Sequence, residues 1–118
     1  MKIIVAGTRD LQDRTLVFVA IDSSPWKHQI TEIVSGCAQG VDQFGEEYAT
    51  IKGLPVARFP ADWKTHGRPA GPIRNKQMAD YADALVAVWD GSSKGTKNMI
   101  DEMERIGKPT HVYIVEWL

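Results

Sequence analysis

Cysteine is nearly missing from these 118 residues: Cys37 stands alone, so no internal disulfide can form. No apolar run approaches the about 20 residues that a membrane span needs. The opening stretch, Met1 to Ala6, is strand-like and leads straight into Gly7-Thr8-Arg9-Asp10, unlike a secretory leader. These absences lead to the expectation of a cytoplasmic protein in a reducing setting, with no membrane association. Positive charge is not in excess either. The formal net charge is −1, which argues against broad binding to duplex nucleic acid. The three histidines, His28, His66 and His111, show no metal-ligand spacing, so neither a metal nor a cofactor is expected. There is no repeat and no low-complexity tract.

What is present reads as an ordinary globular chain, 43% apolar and 25% charged, of a length that suits one domain over 1–118. Lys2 to Ala6 is a continuous β-branched run ended by Gly7, as expected of a strand buried on both faces. Similar runs cover Ile30 to Val34, Leu54 to Phe59, Ala84 to Trp89 and Thr110 to Val115. Helical patterns fill the gaps: Leu11 to Asp22, a stretch carrying Val41, Phe44, Gly45, Tyr48 and Ala49, a shorter helix from Arg74 to Ala82, and an amphipathic stripe of Thr96, Met99, Ile100, Met103 and Ile106. Gly53 and Gly107 are placed to stop the second and last of these. Strands alternating with helices predict an α/β fold, a Rossmann-like three-layer α/β/α sandwich with a five-stranded parallel sheet. Pro60 to Pro72 reads as one long loop, of the kind that often carries function.

In such a sheet, ligands bind outside the carboxyl ends of the strands. Four loops there carry useful chemistry. Gly91 and Gly95 permit N–H groups to turn inward, and Thr96 opens a helix whose N-terminus favours an anion; Ser92, Ser93 and Thr96 add hydroxyls. The plain alternative is a capped strand-to-helix turn. Gly36 and Gly40 flank a similar turn, with Ser35 as a donor and Asp42 either capping the helix or accepting ribose hydroxyls. Cys37 reads as a small packed residue. Arg9, after Gly7 and Thr8, either pairs with Asp10 or Asp13 or forks onto a phosphate. Arg74 reads as starting a helix, where a cation is unfavourable, so a ligand or a nearby carboxylate is needed to explain it; Asn75 lies beside it. Trp63 and His66 could each stack on a base; the plain alternatives are a Trp that covers the core and an exposed loop His. Trp26 and Trp117 read as packing residues.

Five segments in order carry a family resemblance over nearly the whole chain: Val5-Ala6-Gly7-Thr8-Arg9-Asp10, Ser35-Gly36-Cys37-Ala38-Gln39-Gly40-Val41-Asp42, Phe59-Pro60-Ala61-Asp62-Trp63, Ala70-Gly71-Pro72-Ile73-Arg74-Asn75, and Trp89-Asp90-Gly91-Ser92-Ser93-Lys94-Gly95-Thr96. The chain resembles the SLOG superfamily, which groups DprA-type proteins with the LOG nucleotide phosphoribohydrolases. It is most similar to the small YspA-like branch found in bacteria and phages. The resemblance implies a SLOG-like nucleotide-binding domain whose pocket is built from these loops. It also implies, by analogy with LOG enzymes, a homodimer. In LOG enzymes the last loop reads Pro-Gly-Gly-x-Gly-Thr-x-x-Glu with a catalytic Glu. Here Gly95 and Thr96 match, Arg74 matches the family's Arg, and the Glu position falls on Met99. A thioether cannot serve as acid or base.

Three functions follow as expectations. The leading one is a sensor or sequestering protein that binds a nucleotide-type small molecule, such as a nucleoside phosphate or an ADP-ribose-like signal, without turnover. The alternative is N-glycosidic hydrolysis of a nucleotide, with Arg74, Asp90 and Glu102 as candidate catalytic groups. The third is DprA-like single-stranded nucleic-acid binding, against which the charge balance and the lack of an aromatic–basic stripe argue.

Overall fold

β1 (Lys2–Gly7) sends Ile3 and Val5 to one side and Ile4 and Ala6 to the other, and all four are buried. Because side chains alternate along a strand, burying both sets requires a layer on each face. β4 (Ala84–Trp89) repeats the pattern: Ala84, Val86 and Val88 join Ile3 and Val5, while Leu85 and Ala87 join Ile4 and Ala6. In the computed structural model, which describes residues 1–116, these two strands pair in parallel at the centre of the sheet, from Ile3 beside Ala84 to Gly7 beside Val88. β2 (Glu32–Ser35) and β3 (Val56–Arg58) extend it on one side and β5 (Thr110–Ile114) on the other. The sheet is five-stranded, parallel throughout, in the order β3-β2-β1-β4-β5.

The helices divide between the faces. α1 (Arg14–Asp22) and α2 (Val41–Lys52) cover the Ile3 side with Val17, Ala20, Ile21, Val41, Tyr48 and Ala49. On the Ile4 side, α4 (Ala70–Tyr81) contributes Met78 and Ala79, and α5 (Lys94–Arg105) contributes Met99, Ile100 and Met103. The result is the expected Rossmann-like α/β/α arrangement. No helix among the described residues is long and apolar enough to cross a membrane. Trp117 lies outside the described residues.

Close approach of α2 to the sheet depends on Gly45. A Cβ added there would lie 2.7 Å from the Val5 Cβ and 2.8 Å from its Cγ1. Val5 is itself fully buried, so it has nowhere to move. Gly45→Ala is therefore expected to destabilise the fold by about 1–3 kcal/mol, the usual range for overpacking. Urea unfolding checks this, and an unchanged midpoint would contradict it.

Besides strand ends that shift by one or two residues, two stretches differ from the sequence reading. α1 begins at Arg14, because Asp13 accepts the Thr15 N–H at 2.9 Å and caps the helix; Leu11 is buried ahead of it. The segment Pro60 to Pro72 is not one loop. Asp62 accepts the Thr65 N–H at 3.2 Å and opens the short α3 (Trp63–His66), Gly67 ends it, and α4 starts at Ala70. Pro72 falls in the first turn of α4, where a missing N–H breaks no intrahelical bond. Arg74 is consequently inside α4, not at its start.

Candidate functional site

The chain leaves β1 toward β2 and β3 on one side, then crosses to β4 and β5 on the other. This reversal opens a crevice at the carboxyl ends of β1 and β4. Thr8 closes the base of the crevice. It is buried, its N–H donates to the Val88 carbonyl at 3.1 Å, and its Oγ1 accepts the Asp90 N–H at 3.2 Å. Above it lies a cavity of about 170 Å³. Its floor is apolar: Ala6, Met78 and Met99. Its walls bring together Gly7 and Arg9 after β1, Ala38 and Asp42 after β2, Arg74 and Asn75 from α4, and Ser93, Gly95 and Thr96 at the start of α5.

Asp42 is the buried carboxylate of this cavity, only 5% exposed. It stands in the first turn of α2, behind Gly40, which offers no side-chain cap. The carboxylate reaches back instead and accepts the Ala38 N–H at 3.3 Å. Burial pushes its pKa up to about 6, against the lowering effects of the Ala38 N–H, the Arg74 and Arg9 guanidiniums and the Gly7 N–H. The folded-state value exceeds the ordinary one, so between the two the folded protein keeps a proton that the unfolded chain has released. Stability from this group is therefore gained as pH falls through that window and lost as pH rises through it. Asp42→Asn removes the effect. Relative to wild type, the variant is expected to gain about 2 kcal/mol between roughly pH 4.5 and 7. Urea unfolding at the two pH values tests this; equal wild-type and variant trends would contradict it.

Arg74 ties the walls together. Its Nε donates to Asn75 Oδ1 at 2.9 Å, and its Nη1 donates to the Gly36 carbonyl and, at 3.4 Å, to the Phe59 carbonyl. Burial lowers its pKa, and the Asp42 charge raises it. The carboxylate needed to explain this cation is thus Asp42, although the two do not form a direct ion pair. Gly36 has to lack a side chain here: a Cβ would fall 2.7 Å from Arg74 Nη1 and 2.9 Å from Asp42 Oδ2. Asn75, also buried, donates to the Gly95 carbonyl at 3.3 Å and to Asn98 Oδ1 at 2.9 Å, joining α4 to α5.

Ser35 is fully buried beneath the next loop. Its hydroxyl donates to Glu46 Oε2 at 2.7 Å and accepts the Cys37 N–H at 3.1 Å. Glu46 also takes Arg58 Nε and Nη2, both at 2.9 Å. Cys37 corrects the expectation of a packed residue. It is exposed, because its left-handed backbone (φ 65°) turns the side chain outward. Desolvation, and after it the Glu46 carboxylate, hold its thiol above the ordinary value.

The loop after β4 also differs from its reading. The Ser92 and Ser93 N–H groups do not wait for an anion; both donate to Asp90 Oδ1 at 2.8 Å. Gly91 supplies the turn with φ 82°. Thr96 Oγ1 donates to Ser93 Oγ at 3.2 Å, and Ser93 makes no side-chain cap. The N–H groups of Lys94, Gly95 and Thr96 are left with no acceptor among the described residues. Arg9 is exposed and makes no hydrogen bond or ion pair with any described residue; Asp13 is occupied by its cap. Its charge is felt by both Asp42 and Arg74.

The remaining residues scatter. Glu102 accepts Arg105 Nη2 at 2.8 Å and does not line the cavity. Trp63 stands half exposed beside the cavity, and Trp26 packs edge-on to His111. Sequence reasoning missed Met78 as floor and Asn98 as a partner of Asn75. The stripe of α5 does mark Met99 as core; that Met99 also floors a cavity follows only from the sheet order. Among the described residues, no group of three or more His, Cys, Asp or Glu side chains is placed to hold a metal.

A family model described as the YspA, cpYpsA-related SLOG family matches residues 1–66, from β1 through α3. The chain is also similar to the Gene 61 protein of Mycobacterium phage D29, with 31% identity over an alignment of 118 positions that spans 92% of each chain.

Proposed function

The chain belongs to the YspA, cpYpsA-related SLOG family, and from that premise we propose that it binds a nucleotide or a nucleotide-derived phosphate in the cavity between β1 and β4 and holds it without turnover, as a sensor or sequestering protein. The family carries a nucleotide-related role. The observation that supports this site most is the pairing of Arg9, which has no partner among the described residues, with the open first turn of α5 around one cavity. A phosphate there takes three backbone N–H groups, the helix dipole and a forked guanidinium at once. Asp42 is the carboxylate available to a ribose hydroxyl.

Retention without turnover is supported by Met99, buried in the floor where the LOG pattern carries its Glu. A second reading, N-glycosidic hydrolysis, has one observation in its favour: the Asp42 carboxyl, poised at about 6 inside the cavity. In that reading Asp42 replaces Glu102 and Asp90 as the acid, since Glu102 faces Arg105 and Asp90 folds onto its own loop.

Incubation with AMP, ADP, ADP-ribose, cyclic ADP-ribose isomers, NAD and cyclic dinucleotides, with melting temperature and released products read together, tests the proposal. At a hundredfold excess over Kd, a bound ligand adds about 2.7 kcal/mol of stability. A shift without product is expected. Multiple turnovers would favour the second reading, and no shift with any compound would overturn both.

A further inference from the structure

Trp63 is a large aromatic side chain left 50% exposed. It is anchored by a helix of four residues, and the edge of its indole leans on the first turn of α4, where a Cβ on Gly71 would lie 3.4 Å from its Cη2. It walls a depression of about 240 Å³ that shares Arg9, Arg74, Asn75 and Gly95 with the cavity under the α5 N-terminus. The two compartments are therefore neighbours, with these four residues between them. Their chemistry differs. The cavity offers backbone N–H groups and a carboxylate. The depression has Trp63, Gly71 and Pro72 on one side and Lys94 and Asn98 on the other.

Asn98 adds directionality. Its Oδ1 is occupied by the Asn75 amide, and the Asn98 Nδ2 donors have no partner among the described residues. A flat π-system with acceptors on its edge matches such a compartment: its face covers the indole, and its edge takes the Asn98 amide. A sugar phosphate or an inorganic anion would leave the indole face unused.

We infer that Trp63 is the stacking platform for the ligand's base and Asn98 a donor to that base's edge, so that the site takes a nucleotide, base toward α3 and phosphate toward α5, in preference to a sugar phosphate. This rests on the reading of the α5 turn as the phosphate end. Stacking on an aromatic side chain is worth enough per base to change affinity about 10- to 100-fold.

Calorimetric titration of AMP, GMP, CMP, UMP and ribose 5-phosphate into wild type, Trp63→Ala, Trp63→Phe and Asn98→Ala tests the inference. The tightest nucleotide is expected to bind wild type at least about 10-fold better than ribose 5-phosphate. Trp63→Ala should erase that advantage while leaving ribose 5-phosphate binding unchanged, Trp63→Phe should keep most of it, and Asn98→Ala should weaken the nucleotides alone. If ribose 5-phosphate and the nucleotides bind equally well, or if Trp63→Ala weakens all of them alike, the base platform is wrong and the phosphate site stands. If none of them binds, the phosphate reading fails and this inference with it.

Discussion

Arg74→Ala is expected to lower the unfolding free energy by about 2–4 kcal/mol and to abolish ligand binding. The guanidinium holds the Gly36 and Phe59 carbonyls and the Asn75 side chain. Hydrogen bonds from a charged donor contribute about 1.5–3 kcal/mol each when measured singly, and removing the donor leaves buried acceptors unsatisfied. These three do not add fully, because they share one group. The loss also removes positive charge beside Asp42, whose carboxylate is already penalised by burial. Binding fails for a further reason: Gly36 and Asn75 are the points at which Arg74 joins the loop after β2 to α4, and Asn75 in turn positions Gly95 and Asn98. Urea unfolding and ligand titration read the two effects separately. Retained stability would mean that the network is not a structural tie.

Arg9→Ala is expected to behave oppositely, weakening binding about 10- to 100-fold with no change in melting temperature. Arg9 is exposed and makes no hydrogen bond or ion pair with any described residue, and its attraction to Asp42 is offset by its repulsion of Arg74. A phosphate at the α5 turn loses its forked cation, a charge-assisted contact of about 1.5–3 kcal/mol. Wild-type affinity should fall with added salt and the variant's should fall less, since one screened charge has gone. Equal affinities would remove Arg9 from the site. A drop in stability would mean that it serves the fold.

Much of the architecture is legible in the sequence, for identifiable reasons. Ile3-Ile4-Val5-Ala6 and Ala84 to Val88 carry no polar residue on either alternating set, and only a strand covered on both faces tolerates that. Gly53 ends α2 as expected, with its N–H on the Ala49 and Thr50 carbonyls. The start of α4 is hidden because Pro69, Gly71 and Pro72 look like loop residues, although a helix's first turn requires no N–H from any of them. The site is legible in kind but not in wiring. Local sequence marks Asp42, Arg74 and the α5 turn as polar groups in or beside the loops that follow the strands. It does not show that Asp90 takes the Ser92 and Ser93 N–H groups, because that depends on the turn made at Gly91. Nor does it show that Met99 and Met78, from two different helices, meet as the floor of one cavity.

The central claim is retention of a nucleotide-type ligand at the β1–β4 crevice. Its most direct test is a stoichiometric titration with the nucleotide that most raises the melting temperature, followed by denaturation and chromatography of the recovered small molecule after prolonged incubation. The account predicts saturation at one ligand per chain and recovery of that ligand intact. Recovery of free base and sugar phosphate, or saturable binding that survives the loss of Arg9 and Arg74 together, would contradict it.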